Sequence, residues 1–288
     1  MRCDLLFDCR HELGESVLWD GASESLWWVN IHQREVWRLQ GSDPRVYRLP
    51  SRVGSIALRA RGGLVVGAEK EFAFFDPEAD AYEPVANVEQ DLPMTRLNDG
   101  RCDRQGRFVC GGMNEAPGAP ACSSVYSLDP SGRVRPLIAG VSCSNSICFS
   151  PSGSTMYFSD MPTGEIVAYD YDPDAGEARN KRVVCEASSA PGLPDGSVVD
   201  AEGCIWNARW GAGQVVRYTP AGKVDRRFDF PVTNVSCVGF GGPDFKSLFV
   251  TSARFGLTAG QLLAEPHAGS LFVLEPGSQG LPEPHYLG

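Results

Sequence analysis

The sequence predicts an all-β chain folded as a six-bladed β-propeller with about four antiparallel strands per blade, and three observations predict it. A polar residue recurs at steps of 40 to 50 residues: Glu15, Ser55, Asn98, Asn145, Asp195 and Ser236. Eight residues beyond each stands a turn former: Ser23, Gly63, Gly106, Gly153, Gly203 and Asp244. A β-rich or aromatic run follows every time, from Leu26-Trp27-Trp28-Val29 to Leu248-Phe249-Val250. Six units of this length match the blade spacing of a propeller.

The fifth copy is the clearest. Leu193-Pro194-Asp195-Gly196-Ser197-Val198-Val199 alternates polar and small or apolar residues, as a strand with one polar face does. Asp200-Ala201-Glu202-Gly203 is turn chemistry, and Cys204-Ile205-Trp206 opens the return strand. Third strands follow at 35–39, 124–128, 165–169 and 214–218, with outer strands at 134–138 and 224–228. Residues 3–9 precede the first repeat and are expected to add the outer strand of the last blade. No linker divides the chain, so residues 1–288 read as one domain. A β-sandwich with accidental periodicity is the competing architecture, and the recurrence of the turn frame weighs against it.

Composition narrows the function classes. A formal net charge of −10 argues against nucleic acid, whose phosphates need a basic face. No apolar run approaches the ~20 residues of a membrane span. The first nine residues are too short and too acidic for a signal peptide. Ten cysteines without a Cys-x-x-Cys pair read as reduced, mostly buried thiols, hence a cytoplasmic protein.

In a propeller the innermost strands face a central channel, so the recurring polar residues are expected to form a ring there. Convergent carboxylates raise each other's pKa unless a cation lies between them. Glu15, Asn145 and Asp195 offer only oxygen, which suits a hard divalent cation. A structural zinc site would call for Cys or His. The competing reading is a polar channel that holds ordered water.

Four segments carry a family resemblance: Leu13-Gly14-Glu15-Ser16, Arg96-Leu97-Asn98-Asp99-Gly100, Ser144-Asn145-Ser146 and Leu193-Pro194-Asp195-Gly196. Together with Phe240-Gly241-Gly242-Pro243-Asp244 and Thr251-Ser252-Ala253-Arg254, they make the chain resemble the SMP-30/gluconolactonase (regucalcin-like) family, in particular its bacterial aldonolactonase branch. The resemblance covers nearly the whole chain. It implies a six-bladed propeller with one catalytic divalent ion in the channel, held by Glu15, Asn145 and Asp195. It implies that Arg96 and Asn98 contact substrate. Glu115 is the candidate for an acidic residue that binds substrate hydroxyls, although the match there is imperfect and Ala116 stands beside it. Asn30 stands where relatives often have Asp.

The expected reaction is hydrolysis of a sugar-acid lactone, a pentono- or hexonolactone, to the aldonate. A divalent ion can polarise the lactone carbonyl and lower the pKa of bound water. Arg96 can help to stabilise the developing oxyanion. Asp195 is the candidate general base, with pure ligation as its alternative role. Calcium, zinc, magnesium, manganese and iron all remain open for the ion. A non-catalytic calcium-binding propeller and a broader metal-dependent esterase or phosphotriesterase are the competing functions.

Other motifs are read as structural. A Ser-His-Asp site is disfavoured, because there is no Gly-x-Ser-x-Gly elbow. The four histidines, His11, His32, His267 and His285, are expected at the surface or in loops. Trp19, Trp27, Trp28, Trp37 and Trp206 are expected between blades, and Gly211-Ala212-Gly213 in a hairpin turn. Trp210 is a candidate wall of a sugar pocket.

Overall fold

A computed structural model describes residues 3–116, 118 and 120–288. It contains six antiparallel four-stranded sheets, arranged as the blades of a propeller. The innermost strands are Gly14–Asp20, Val53–Leu58, Thr95–Cys102, Ser144–Phe149, Leu193–Val199 and Val235–Gly241. Each packs against the next, and the sixth returns to the first. The first five blades are consecutive meanders. The sixth is closed by the N-terminus: Asp4–Phe7 pairs with Leu271–Leu274 as the outermost strand. This joins the two ends of the chain in one sheet and leaves the ring without a gap.

The turns follow the chemistry of the repeat. Asp200 Oδ1 accepts from the backbone N–H of Glu202 and of Cys204 (3.0 and 2.9 Å), and Asp103 Oδ1 does the same for Gln105 and Arg107 (3.0 and 2.8 Å). Gly203 then takes φ +82°, a region that a side chain disfavours. Gly196 is needed for a different reason. A Cβ there would lie 2.8 Å from Cys237 Cα on the adjoining inner strand, so the close approach of blades five and six requires glycine.

Each blade is too thin to bury a core of its own. The apolar side chains instead form six clusters, one at each junction between neighbouring blades. The tryptophans serve these junctions as expected. Trp206 stacks on Phe228 and meets Phe240 edge-on, Trp19 stacks on Phe249, and Trp28 stacks on Trp37. His11 departs from expectation. It is only 3% exposed, accepts a 2.7 Å hydrogen bond from Trp28 Nε1, and is pushed down to about 4 by burial. A neutral imidazole that satisfies an indole belongs to the core rather than to a loop.

Every inner strand shifts register at the position of the recurring polar residue. Glu15 and Asn145 are the last paired residues before their bulges, whereas Asn98, Asp195 and Ser236 are the first residues inside theirs. A bulge re-aims side chains, so the ring is not uniform. Ser55 and Ser236 turn away from the channel pocket. Ser55 Oγ meets Cys110 Sγ at 3.2 Å, and Ser236 Oγ donates to the Gly14 carbonyl at 2.5 Å. The expected six-membered ring is therefore a cluster of four.

Candidate metal centre

Glu15, Asn98, Asn145 and Asp195, from blades one, three, four and five, line one cavity of about 180 Å³ together with Arg96. Leu13, Met113, Cys143, Met161, Trp210 and Phe255 form its walls. The volume suits a small ring rather than a polymer. Residues 180 apart in the chain meet here because the inner strands of the propeller all begin at the same end of the channel.

Two bulges are held in a strained form. Ser16 and Ser146 directly follow Glu15 and Asn145 and have φ of 53° and 61°, which is uncommon for a residue with a side chain. Hydrogen bonds between blades hold both. Ser16 Oγ accepts from the Ile56 N–H (2.9 Å), and Ser146 Oγ donates to the Asp195 carbonyl (2.6 Å). Asn207 Nδ2 donates to the same carbonyl at 3.0 Å. The backbone of Asp195 is thus anchored twice, which leaves its carboxylate for the cavity.

The polar side chains are linked in a line. Arg96 Nη1 donates to Asn98 Oδ1 (2.6 Å), and Asn98 Nδ2 donates to Asn145 Oδ1 (3.1 Å). Asn145 Nδ2 faces the sulfur of Met161 at 3.3 Å, so its amide oxygen is directed to the other side. Glu115 does not reach the cavity. Its Oε1 accepts from Arg96 Nε (3.1 Å) and Arg52 Nη1 (2.8 Å), and its Oε2 accepts from Arg52 Nη2 (2.9 Å). Burial raises this carboxyl, but the two guanidinium groups outweigh that effect and hold it below its usual range.

The electrostatics identify what the cavity lacks. Burial, then the charge of Asp99, pushes Glu15 up to about 8. Burial, then the charges of Glu15 and Asp99, pushes Asp195 well above the carboxylate range. Arg96 works against both shifts but does not cancel them. Two convergent carboxylates without an adequate counter-charge, beside an oriented amide oxygen, fit a divalent cation held by Glu15, Asn145 and Asp195.

A second acidic group gives the opposite answer. Asp200, Glu202 and Cys204 bring their ligand atoms within 4.8 Å of one another. There the positive charge is already supplied: Arg217 pairs with Asp200 at 2.7 Å, with Glu202, and with Asp225 at 2.7 Å.

Several channel residues escaped the sequence reading. Below the cavity, Asp99 and Arg101 line a smaller space of about 20 Å³, which Glu283 and Pro284 close. Arg101 Nη1 pairs with Glu283, and its Nη2 donates to the Ser197 carbonyl at 2.9 Å. The C-terminal segment thus plugs the far end of the channel. Tyr286 fixes it there through its N–H to Leu58 O (2.8 Å) and its hydroxyl to Asp129 O (2.7 Å). The bulge at Asn98 explains the missed residues. Strict alternation would send Arg96, Asn98 and Gly100 inward, but the extra residue changes parity and turns Asp99 and Arg101 into the channel. Trp210, by contrast, lies in the cavity wall as expected.

Residues 13–254 match the family described as SMP-30/Gluconolactonase/LRE-like region. The chain belongs to this family. It is 39% identical to an L-arabinolactonase of Azospirillum brasilense, over 99% of this chain and 95% of that one. It is 33% identical to the regucalcin of Bos taurus, over 100% and 98% of the two chains. Among solved structures it is similar to a calcium-binding protein, regucalcin, from Agrobacterium tumefaciens. That likeness has a TM-score of 0.94 at 34% identity, and covers 99% of this chain and 97% of that one.

Proposed function

We infer that this lactonase opens the ring of an aldonolactone at the channel cavity, with a divalent cation held by Glu15, Asn145 and Asp195. The observation that carries the reading is the pair of raised carboxylates facing one cavity without an adequate cationic partner. The name of the L-arabinolactonase relative supports a sugar lactone as substrate. The ion supplies Lewis acidity toward the lactone carbonyl.

The chain's own residues do the rest. Arg96 has committed Nε and Nη1 to Glu115, Leu97 O and Asn98, which leaves Nη2 to bind an oxygen of the lactone. Asn98 orients the amide of Asn145 and lines the path of the substrate. Asp195 lines the cavity and accepts the proton of the attacking water at its carboxylate. Trp210 and Phe255 offer aromatic faces to the apolar side of a sugar ring and exclude water from it. Buried thiols at Cys102, Cys110, Cys148, Cys185, Cys204 and Cys237 support a reducing, cytoplasmic setting. Among the described residues, no helix is long and apolar enough to cross a membrane.

The test is a panel of aldonolactones assayed on chelator-treated protein, before and after return of each divalent ion. Turnover that falls on chelation and returns with one or more ions is expected, with Glu15→Gln and Asp195→Asn inactive under all conditions. Turnover indifferent to chelation, or retained in both variants, overturns the reading. Ion binding without turnover of any lactone, aryl ester or organophosphate would mark a non-catalytic binding protein.

A further inference from the structure

Arg52 lies just before the inner strand of blade two and carries no ligand-facing group, yet it holds the polar line that ends in the cavity. Its guanidinium grips both oxygens of Glu115, at 2.8 and 2.9 Å, and pairs with Glu69 as well. Glu69 follows the second strand of the same blade, and its carbonyl accepts from the Leu97 N–H at 3.1 Å. Arg52 therefore ties the mouth of blade two to that of blade three.

The consequence falls on Arg96. A guanidinium is planar, so fixing two of its nitrogens fixes where the third points. Glu115 holds Nε at 3.1 Å, while Leu97 O and Asn98 hold Nη1 at 3.0 and 2.6 Å. Nη2 has no protein partner among the described residues, and Arg96 lines the cavity while only 3% exposed. Glu115 can serve as this fixed point only while Arg52 occupies it. Released from Arg52, its full charge would lean on Arg96 and draw the guanidinium away from the cavity.

We propose that Arg52 is a positioning residue for substrate binding, acting through Glu115 to aim Arg96 Nη2 at the lactone. Glu115 on this view positions Arg96 and does not itself bind substrate hydroxyls. The inference rests on the lactonase reading.

The test compares wild type, Arg52→Gln and Arg52→Lys as cation-loaded full chains, with lactone kinetics, thermal midpoint and calorimetric cation affinity. Arg52→Gln is expected to raise KM about tenfold while kcat changes less than about twofold. Arg52→Lys keeps the charge but loses the fork, so its KM is expected between the two. Cation affinity is expected to stay within about twofold of wild type in both, since Glu15 and Asp195 are untouched. An unchanged KM in Arg52→Gln overturns the proposal. So does a loss that follows thermal midpoint and cation affinity instead of KM. If Arg52→Gln does not fold, Glu69→Gln takes its place, with a smaller rise in KM expected and no rise overturning the proposal. A wild-type chain that opens no lactone overturns the lactonase reading and this inference together. An active wild type beside an unaffected Arg52→Gln overturns this inference alone.

Discussion

Asp195 and Asp200 stand at the two ends of one inner strand and its turn, five residues apart, with 3% and 0% exposure. Asp200 has everything a buried carboxylate needs. Two backbone N–H groups, the Trp206 indole N–H (2.8 Å) and Arg217 through Nε and Nη2 (2.9 and 2.7 Å) all donate to it. Asp195 has the Gly196 N–H and two other acids for neighbours, and its proton affinity rises accordingly. Burial alone therefore does not distinguish a structural acid from a functional one. What distinguishes them is whether the fold supplies the counter-charge or leaves it to a ligand.

Exchanging each acid for its amide breaks the pair apart. Asp195→Asn is expected to lower lactone turnover about a thousandfold or more, while the chelated protein keeps or gains thermal stability, because the amide removes a carboxyl whose ionisation the site opposes. Asp200→Asn is expected to do the reverse. It should cost about 3 kcal/mol, a fall in thermal midpoint of roughly 5–10 °C, with turnover per folded molecule retained. Scanning calorimetry and initial rates on both variants check this crossing. If both lose activity, or both lose stability, the contrast fails.

A pH series sharpens it. Glu15 at about 8 and Asp195 above its usual range hold protons in the folded chain that the unfolded chain releases near pH 4. The folded state thus binds more protons between these limits, and the stability of the chelated protein falls as pH rises from about 4 toward 8. Cation-loaded protein should lose this slope. Thermal midpoints from pH 5 to 8, with and without the ion, measure it, and equal slopes would contradict the account. The smallest effect is expected at Glu202→Gln. Its side chain is 73% exposed against Arg217, so stability should change by less than about 1 kcal/mol and cation affinity not at all.

The fold was legible because propeller blades repeat their turns. The turn former eight residues beyond each recurring polar residue, a glycine in blades two to five, kept its spacing, and the strands on either side followed. The site was legible where charge identified it, at Glu15, Asn145 and Asp195, which do face one cavity. It was not legible where bulges changed parity: Ser55 and Ser236 left the ring, and Asp99 and Arg101 entered the channel. The pairing of Glu115 was not legible for another reason, since its partner Arg52 lies 63 residues away and no local spacing announces an ion pair. The plug at Glu283 and Tyr286 was missed because a strandless tail carries no period. His11 was missed because a core imidazole needs a specific donor, here Trp28, that a sequence pattern does not reveal.

The central claim is that the protein gives the Asp195 carboxyl no adequate counter-charge, so that its ionised form is favoured only when a divalent cation arrives. Calorimetric titration of the chelated protein with that cation at pH 7, in buffers of different ionisation enthalpy, counts the protons released on binding. The account predicts release of at least about one proton from wild type and from Asp200→Asn, and markedly less from Asp195→Asn. The same release from Asp195→Asn as from wild type, or no proton released by wild type, would contradict it.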